Sequence, residues 1–205
     1  MKIKTVPVLA TIALALSGTA ASPAWAKPTE DDVATCVRGD WQSTGVTVER
    51  QAMDGFQVGG GGGVSLMIKD DGATTVDFAG MNKIDFSGQA HNMTVRGFAE
   101  LHGEASATVS TTQNDNNSGT IEAADVDSTD VELTVVLTKP FASRPVDGVP
   151  VDKLRQLAHM KGHTPVLSEA TYTCANDTLT LTRTVQDERG EHQAQVTWTF
   201  DRPTG

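Results

Sequence analysis

The stretch "QVGGGGGVSLMIKDDGATTVDFAG", residues 57–80, decides how this chain is read. Five glycines run into a segment in which Val64, Leu66 and Ile68 share one face. Asp71 and Gly72 supply a turn, and Val76 and Phe78 resume the alternation. A period of two places successive side chains on opposite faces of a sheet, so the segment reads as a β-hairpin. A phosphate loop would need its glycines between a strand and a helix, followed by a lysine and a hydroxyl. Here they precede a strand and neither follows. A linker is equally unsuited, because both flanks read as parts of one sheet. What is left is a flexible loop or a bulged strand start, where missing side chains let the backbone turn or approach closely. A mobile glycine loop at a barrel mouth is one version of this reading, and a tolerated surface loop is the other.

The same period continues outward. In "MTVRGFAELHGEASATV" (93–109), Met93, Val95, Gly97, Ala99, Leu101, Gly103, Ala105, Ala107 and Val109 share one parity, with Phe98 the exception on the other. The run is too long for one ordinary strand, so Gly97 or Gly103 is expected to mark a bulge or corner. "TTQNDNNSGT" is a polar turn, and strands follow at "TIEAADV" and "VELTVVLTK", which Pro140 ends. In "VPVDKLRQLAHMKGH" (149–163) the stripe of Val151, Leu154, Leu157 and Ala158, with Pro150 and Asp152 in the first turn and Gly162 at the stop, predicts one short helix. Strands return at "VLSEATYTC", "TLTLTRTV" and "QVTWTFDR". The fold class is therefore all-β and antiparallel, a closed or nearly closed barrel of about eight to ten strands with one short helix between late strands. A two-sheet sandwich is the alternative.

The first 26 residues, "MKIKTVPVLATIALALSGTAASPAWA", carry two lysines, a short apolar run and small residues before a cleavage point, which is signal-peptide anatomy. The expectation is a secreted single domain over residues 27–205, in the extracellular space or the cell envelope. No stretch approaches the roughly 20 apolar residues of a membrane-spanning helix. The formal net charge of −10 argues against nucleic acid, whose phosphates demand basic neutralisation. In an oxidising compartment the two cysteines, Cys36 and Cys174, are expected to pair and tie the start of the domain to its end.

At "CVRGDWQSTGV" (36–46) the Gly39-Asp40-Trp41 sequence resembles the Gly-x-Trp opening of lipocalins. More closely, "VGGGGGVSLMIKDDGATTVDFAGM", "EATYTCANDTLTLTRT" and "VTWTFDR" resemble secreted lipocalin-like proteins of actinobacteria, across most of the mature chain. The resemblance implies an up-and-down barrel whose tryptophan, Trp41, plugs the closed end against a basic side chain from the last strands. Two features depart from the family: the helix lies between strands, and two strands follow the second cysteine.

Arg183 shares parity with Leu179, Leu181 and Val185 and should face inward, where a guanidinium needs a partner. It is assigned either to stack on Trp41 at the closed end or to hold an anionic headgroup in a cavity, with an outward turn at a bulge as the third possibility. Arg202 is the rival for the closing role. Small residues along 97–107 leave either an internal space or room for large side chains from opposite strands. The cavity is the reading adopted, with Val95, Ala99, Leu101 and Leu133 as its aliphatic lining beside Arg183, and a small lipid-like or amphipathic molecule as its ligand.

Metal and catalytic signals are thin. His159, Met160 and His163 in "HMKGH" are explained by a helix C-terminus, and Asp125, Asp127 and Asp130 in "DVDSTD" lack the spacing of a calcium loop. No nucleophile elbow or His-Glu-x-x-His pair occurs. The expectation is a binding protein with no catalytic residues, no metal and no cofactor. An interaction module with a packed barrel is the alternative, marked by an exposed apolar patch around Phe98.

Overall fold

The alternation read in 64–78 becomes two paired strands whose even-numbered side chains, Leu66, Ile68, Thr74 and Val76, are buried. The computed structural model describes residues 33–50, 57–90, 93–139, 146–150, 169–186 and 193–204. The expected signal peptide, most of the expected helix and the "HMKGH" segment lie outside them. Among the described residues thirteen strands follow one another: β1 Gly39–Arg50, β2 Gln57–Gly60, β3 Ser65–Ile68, β4 Ala73–Asp77, β5 Ile84–Ala90, β6 Met93–His102, β7 Glu104–Asp115, β8 Ser118–Asp127, β9 Glu132–Lys139, β10 Val146–Pro150, β11 Ala170–Ala175, β12 Thr178–Gln186 and β13 Gln193–Asp201. Pro150, expected in the first turn of a helix, instead ends β10 opposite Glu132, an edge position that tolerates the missing donor.

Eight strands close a barrel in the order β1-β13-β12-β11-β8-β7-β4-β3, every pairing antiparallel. The other five form a sheet ordered β10-β9-β6-β5-β2. The two orders correspond. Strands β2, β5, β6 and β9 are the chain continuations of β3, β4, β7 and β8, and they are neighbours in the same sequence. The architecture is therefore an up-and-down barrel in which each of these four strand lines is broken by a corner. Below the corners the wall is closed. Above them it opens into the five-stranded sheet, while β12 and β13 continue unbroken and β1 crosses with one irregularity between Ser43 and Gly45.

The glycines of 57–80 build one of these corners. Gly60 and Gly63 have φ of +102° and +89°, and a Cβ on either would lie 2.1 Å from a carbonyl oxygen, Lys83 O and Gly80 O respectively. Only glycine fits both the dihedral and the space. The corner is stapled by Ser43, whose Oγ accepts from Val64 N and donates to Gly61 O, both at 2.8 Å. Asn82 N donates to Gly62 O at 2.7 Å. The stretch is thus a packed joint with Gly61 and Gly62 buried, and the expectation of a mobile or merely tolerated surface loop is corrected. The long run 93–109 bends at Gly103, φ +97°, and also carries a register shift between Arg96 and Gly97.

Candidate functional site

The closed tier is solid. Trp41, Phe78, Tyr172, Trp198 and Phe200 fill the space that Ala105 and Ala107 leave, and all are buried. Trp198 and Phe200 stack with ring centroids 6.1 Å apart. Large side chains from opposite strands thus accompany the small residues of β7 in the core, the second of the two readings that those residues allowed. Among the described residues, the Tyr172 OH and Trp198 Nε1 atoms are enclosed without a hydrogen-bond partner. Burial pushes the Tyr172 phenol pKa above its usual value, and the Asp115 carboxylate adds to the effect.

The bottom is shut by the segment before β1. Trp41 Nε1 donates to Val37 O at 2.8 Å, and Ala34 N donates to the Thr111 hydroxyl at 2.7 Å. The Cys36–Cys174 disulfide bonds this plug to β11. The cation over the Trp41 ring is Arg202, 4.2 Å from the centroid, whose Nη2 also donates to Arg38 O at 3.1 Å. The assignment of this role to Arg183 is therefore corrected. Parity could place both arginines inward, but only the register of β13 shows that Arg202 follows the strand end that descends to the plug.

Arg183 stands opposite Val196, which in turn pairs with β1 through Val48, so it belongs to the upper part of the wall. It is half-buried, and desolvation lowers its pKa while the Glu169 charge works against the shift. Among the other expected lining residues, Leu101 faces Leu133 across β6 and β9, and Leu101 is buried while Leu133 packs partly buried against the core. Ala99 lies between Ile84 and Val135, and Val95 opposite Gly88. These side chains climb one sheet face from the packed tier toward the open one.

A groove of about 830 Å³ lies in the upper tier. Val48 of β1 contributes to it, with Gln57, Val58 and Gly59 of β2, Asp85, Phe86 and Ser87 of β5, Arg96, Gly97 and Phe98 of β6, and Thr138 of β9. Glycine and serine at 59, 87 and 97 leave the wall shallow there, and the Phe86 ring lies against Gly97. None of the five residues expected to bind a ligand is in this lining, although Val95 and Ala99 flank it on β6. Sequence parity missed Val58 because residues 57–60 read as a loop, and Phe86 because no strand was read between Phe78 and Met93. On the outer face Lys83 Nζ sits 3.9 Å from the Phe98 ring centroid and 3.5 Å from Glu100. Asp127, in the acidic stretch 125–130, accepts from Thr129 N and Oγ1, and these bonds hold its carboxyl below its usual pKa.

The fold is an eight-stranded closed antiparallel barrel, packed at one end and grooved at the other, which is compatible with a lipocalin-like fold. Comparison of the chain with models of protein families, with curated proteins and with solved structures finds no match.

Proposed function

We propose that this protein is an exported, non-catalytic lipocalin-like carrier, of the kind seen in actinobacteria, that binds a small apolar or amphipathic molecule in its upper tier. The observation that carries the reading is the change in packing at the corners. Below them aromatic side chains fill the barrel. Above them Val48, Val58 and Phe86 border a groove whose volume falls within the usual range of small-molecule sites, about 300–1,000 Å³. The leader-like first 26 residues and the disulfide support export. No helix among the described residues is long and apolar enough to cross a membrane.

The interaction-module alternative called for an exposed apolar patch centred on Phe98. That side chain is half-buried beneath Lys83, and the large apolar residue exposed among the described residues is Met67 alone, so the groove carries the stronger reading. The test uses mature protein from its native source, examined by native mass spectrometry for a bound molecule. A neutral naphthylamine dye then reports groove occupancy. Val58→Glu should abolish dye binding while leaving the circular dichroism of the sheet unchanged. Bare chain mass together with no dye uptake would sink the proposal.

A further inference from the structure

Three side chains meet at the level of the glycine corner. A Cβ on Gly61 would lie 2.9 Å from Val46 Cγ1, 3.2 Å from Ile84 Cγ1 and 3.5 Å from Trp198 Cη2, so β1, β5 and β13 converge there as the floor of the upper tier. Two residues further up each strand, on the same face, stand Val48, Phe86 and Val196. The ladders extend this layer. Val58 and Gly97 are the partners of Phe86, and Arg183 is the partner of Val196, which also pairs with Val48. The register of β12 with β13 runs from Thr178 to Gln186 without a shift, so Arg183 keeps the inward parity of buried Leu179 and Leu181, and the outward turn at a bulge is excluded. The β12 line and the line of β4 and β5 are four strand positions apart in either direction round the wall, which sets Arg183 and Phe86 on opposite sides of the interior. Arg183 is thus the one charged side chain in an inward layer whose other members are Val48, Val58, Phe86, Gly97 and Val196.

Resting on the carrier reading, we infer that Arg183 is the head-group site of the upper tier, and that the ligand is an amphipathic anion whose apolar chain lies along Val48, Val58 and Phe86. Head and chain then contact one face of the wall in one layer. Val48 lines the groove and stands two strands from Arg183 on the same rung, about 10 Å at Cα, a gap that an extended arginine side chain largely bridges. Glu169, exposed just before β11, is a carboxylate whose charge acts on Arg183. A guanidinium carries five N–H donors, more than one carboxylate uses, and its fork matches a carboxylate or phosphate bidentately. Half-buried among apolar side chains, those bonds are stronger than they would be in water. A neutral amphiphile gains only the apolar contacts there, and a cationic one is repelled. The class is an acyl carboxylate or an alkyl phosphate, defined by one anionic head and one apolar chain.

The experiment is isothermal titration of the full mature protein with dodecyl phosphate, laurate, dodecanol, dodecyltrimethylammonium and inorganic phosphate, repeated on R183Q and E169Q. The expected result is tightest binding of the two amphipathic anions, weakened about tenfold, or about 1.4 kcal/mol, by R183Q. E169Q removes a competing charge and should strengthen them about twofold. Dodecanol affinity should be the same in all three proteins, which separates a lost head-group contact from lost folding. Should R183Q fail to fold, E169Q decides: tighter anion binding upholds the site, and unmoved anion binding overturns it. Equal affinity for all four dodecyl compounds in the parent, or anion affinity unmoved by R183Q, overturns the head-group site and leaves the carrier reading standing. Inorganic phosphate binding as tightly as dodecyl phosphate overturns the amphipathic ligand. No uptake of any dodecyl compound overturns the inference and the carrier reading together.

Discussion

Removing the Cys36–Cys174 bond tests what holds the plug under the barrel. The two cysteines are 138 residues apart in sequence. The loss of chain entropy in the unfolded state on closing so long a loop corresponds to roughly 5 kcal/mol. That rivals the total stability of many domains, about 5–15 kcal/mol. The direct contacts at stake are smaller, because Trp41, Val37 and Val33 are buried by packing that does not involve the sulfurs and should stay so without the bond. In a C36A/C174A variant, urea unfolding followed by the fluorescence of buried Trp41 and Trp198 should shift its midpoint down by about 2–3 M, at a slope of about 2 kcal/mol per molar. The parent protein in reductant should show the same shift, which distinguishes the cross-link from the loss of two sulfur side chains. A midpoint lowered by less than about 0.5 M in both cases would refute the reasoning, since it would mean that the plug constrains the chain without the bond.

The packed glycine corner predicts that G63A destabilises by at least about 1–2 kcal/mol, because a Cβ there meets Gly80 O and a positive φ disfavours alanine; a neutral result in chemical unfolding would restore the mobile-loop reading. Arg202→Met should cost about 1–2 kcal/mol by removing the cation over Trp41, and should change the Trp41 emission, whereas Arg183→Met should leave that emission unaltered. Asp127 has a folded pKa depressed by hydrogen bonds from Thr129, so its contribution to stability is present above its usual 3.8 and is lost as pH falls through the lower folded value. T129V removes only the hydroxyl donor and keeps the backbone one, so it should raise the Asp127 pKa part of the way toward 3.8 in a carboxyl-detected NMR titration, and an unmoved titration would remove the hydroxyl as a cause.

Much of the fold was legible because burial repeats with period two. Leu66, Ile68, Val76, Phe78, Ala105, Ala107, Val109, Leu179 and Leu181 were placed on inward faces by alternation alone, and all are buried. The corner in the long 93–109 run was legible from its length and its glycines. The cysteine pair followed from compartment and number. The candidate site was much less visible. Its lining residues come from five strands that are far apart in the chain, and the small residues that shape it, Gly59, Ser87 and Gly97, carry no chemical signature of their own.

Parity tells which way a side chain points but not how high on the wall it sits, and that distinction divides the two kinds of knowledge here. Local alternation determined that the chain is an antiparallel β protein with an inward and an outward set of residues. The tertiary structure decided that its strand lines bend at corners, that the lower half is filled and the upper half grooved, and that Arg202 caps Trp41 while Arg183 stands toward the open end. The physical reason is that height depends on ladder register, which is set by pairings between segments up to about 160 residues apart, such as Gln42 with Asp201. No local pattern encodes such a pairing, so the groove emerges only when the strands are laid side by side.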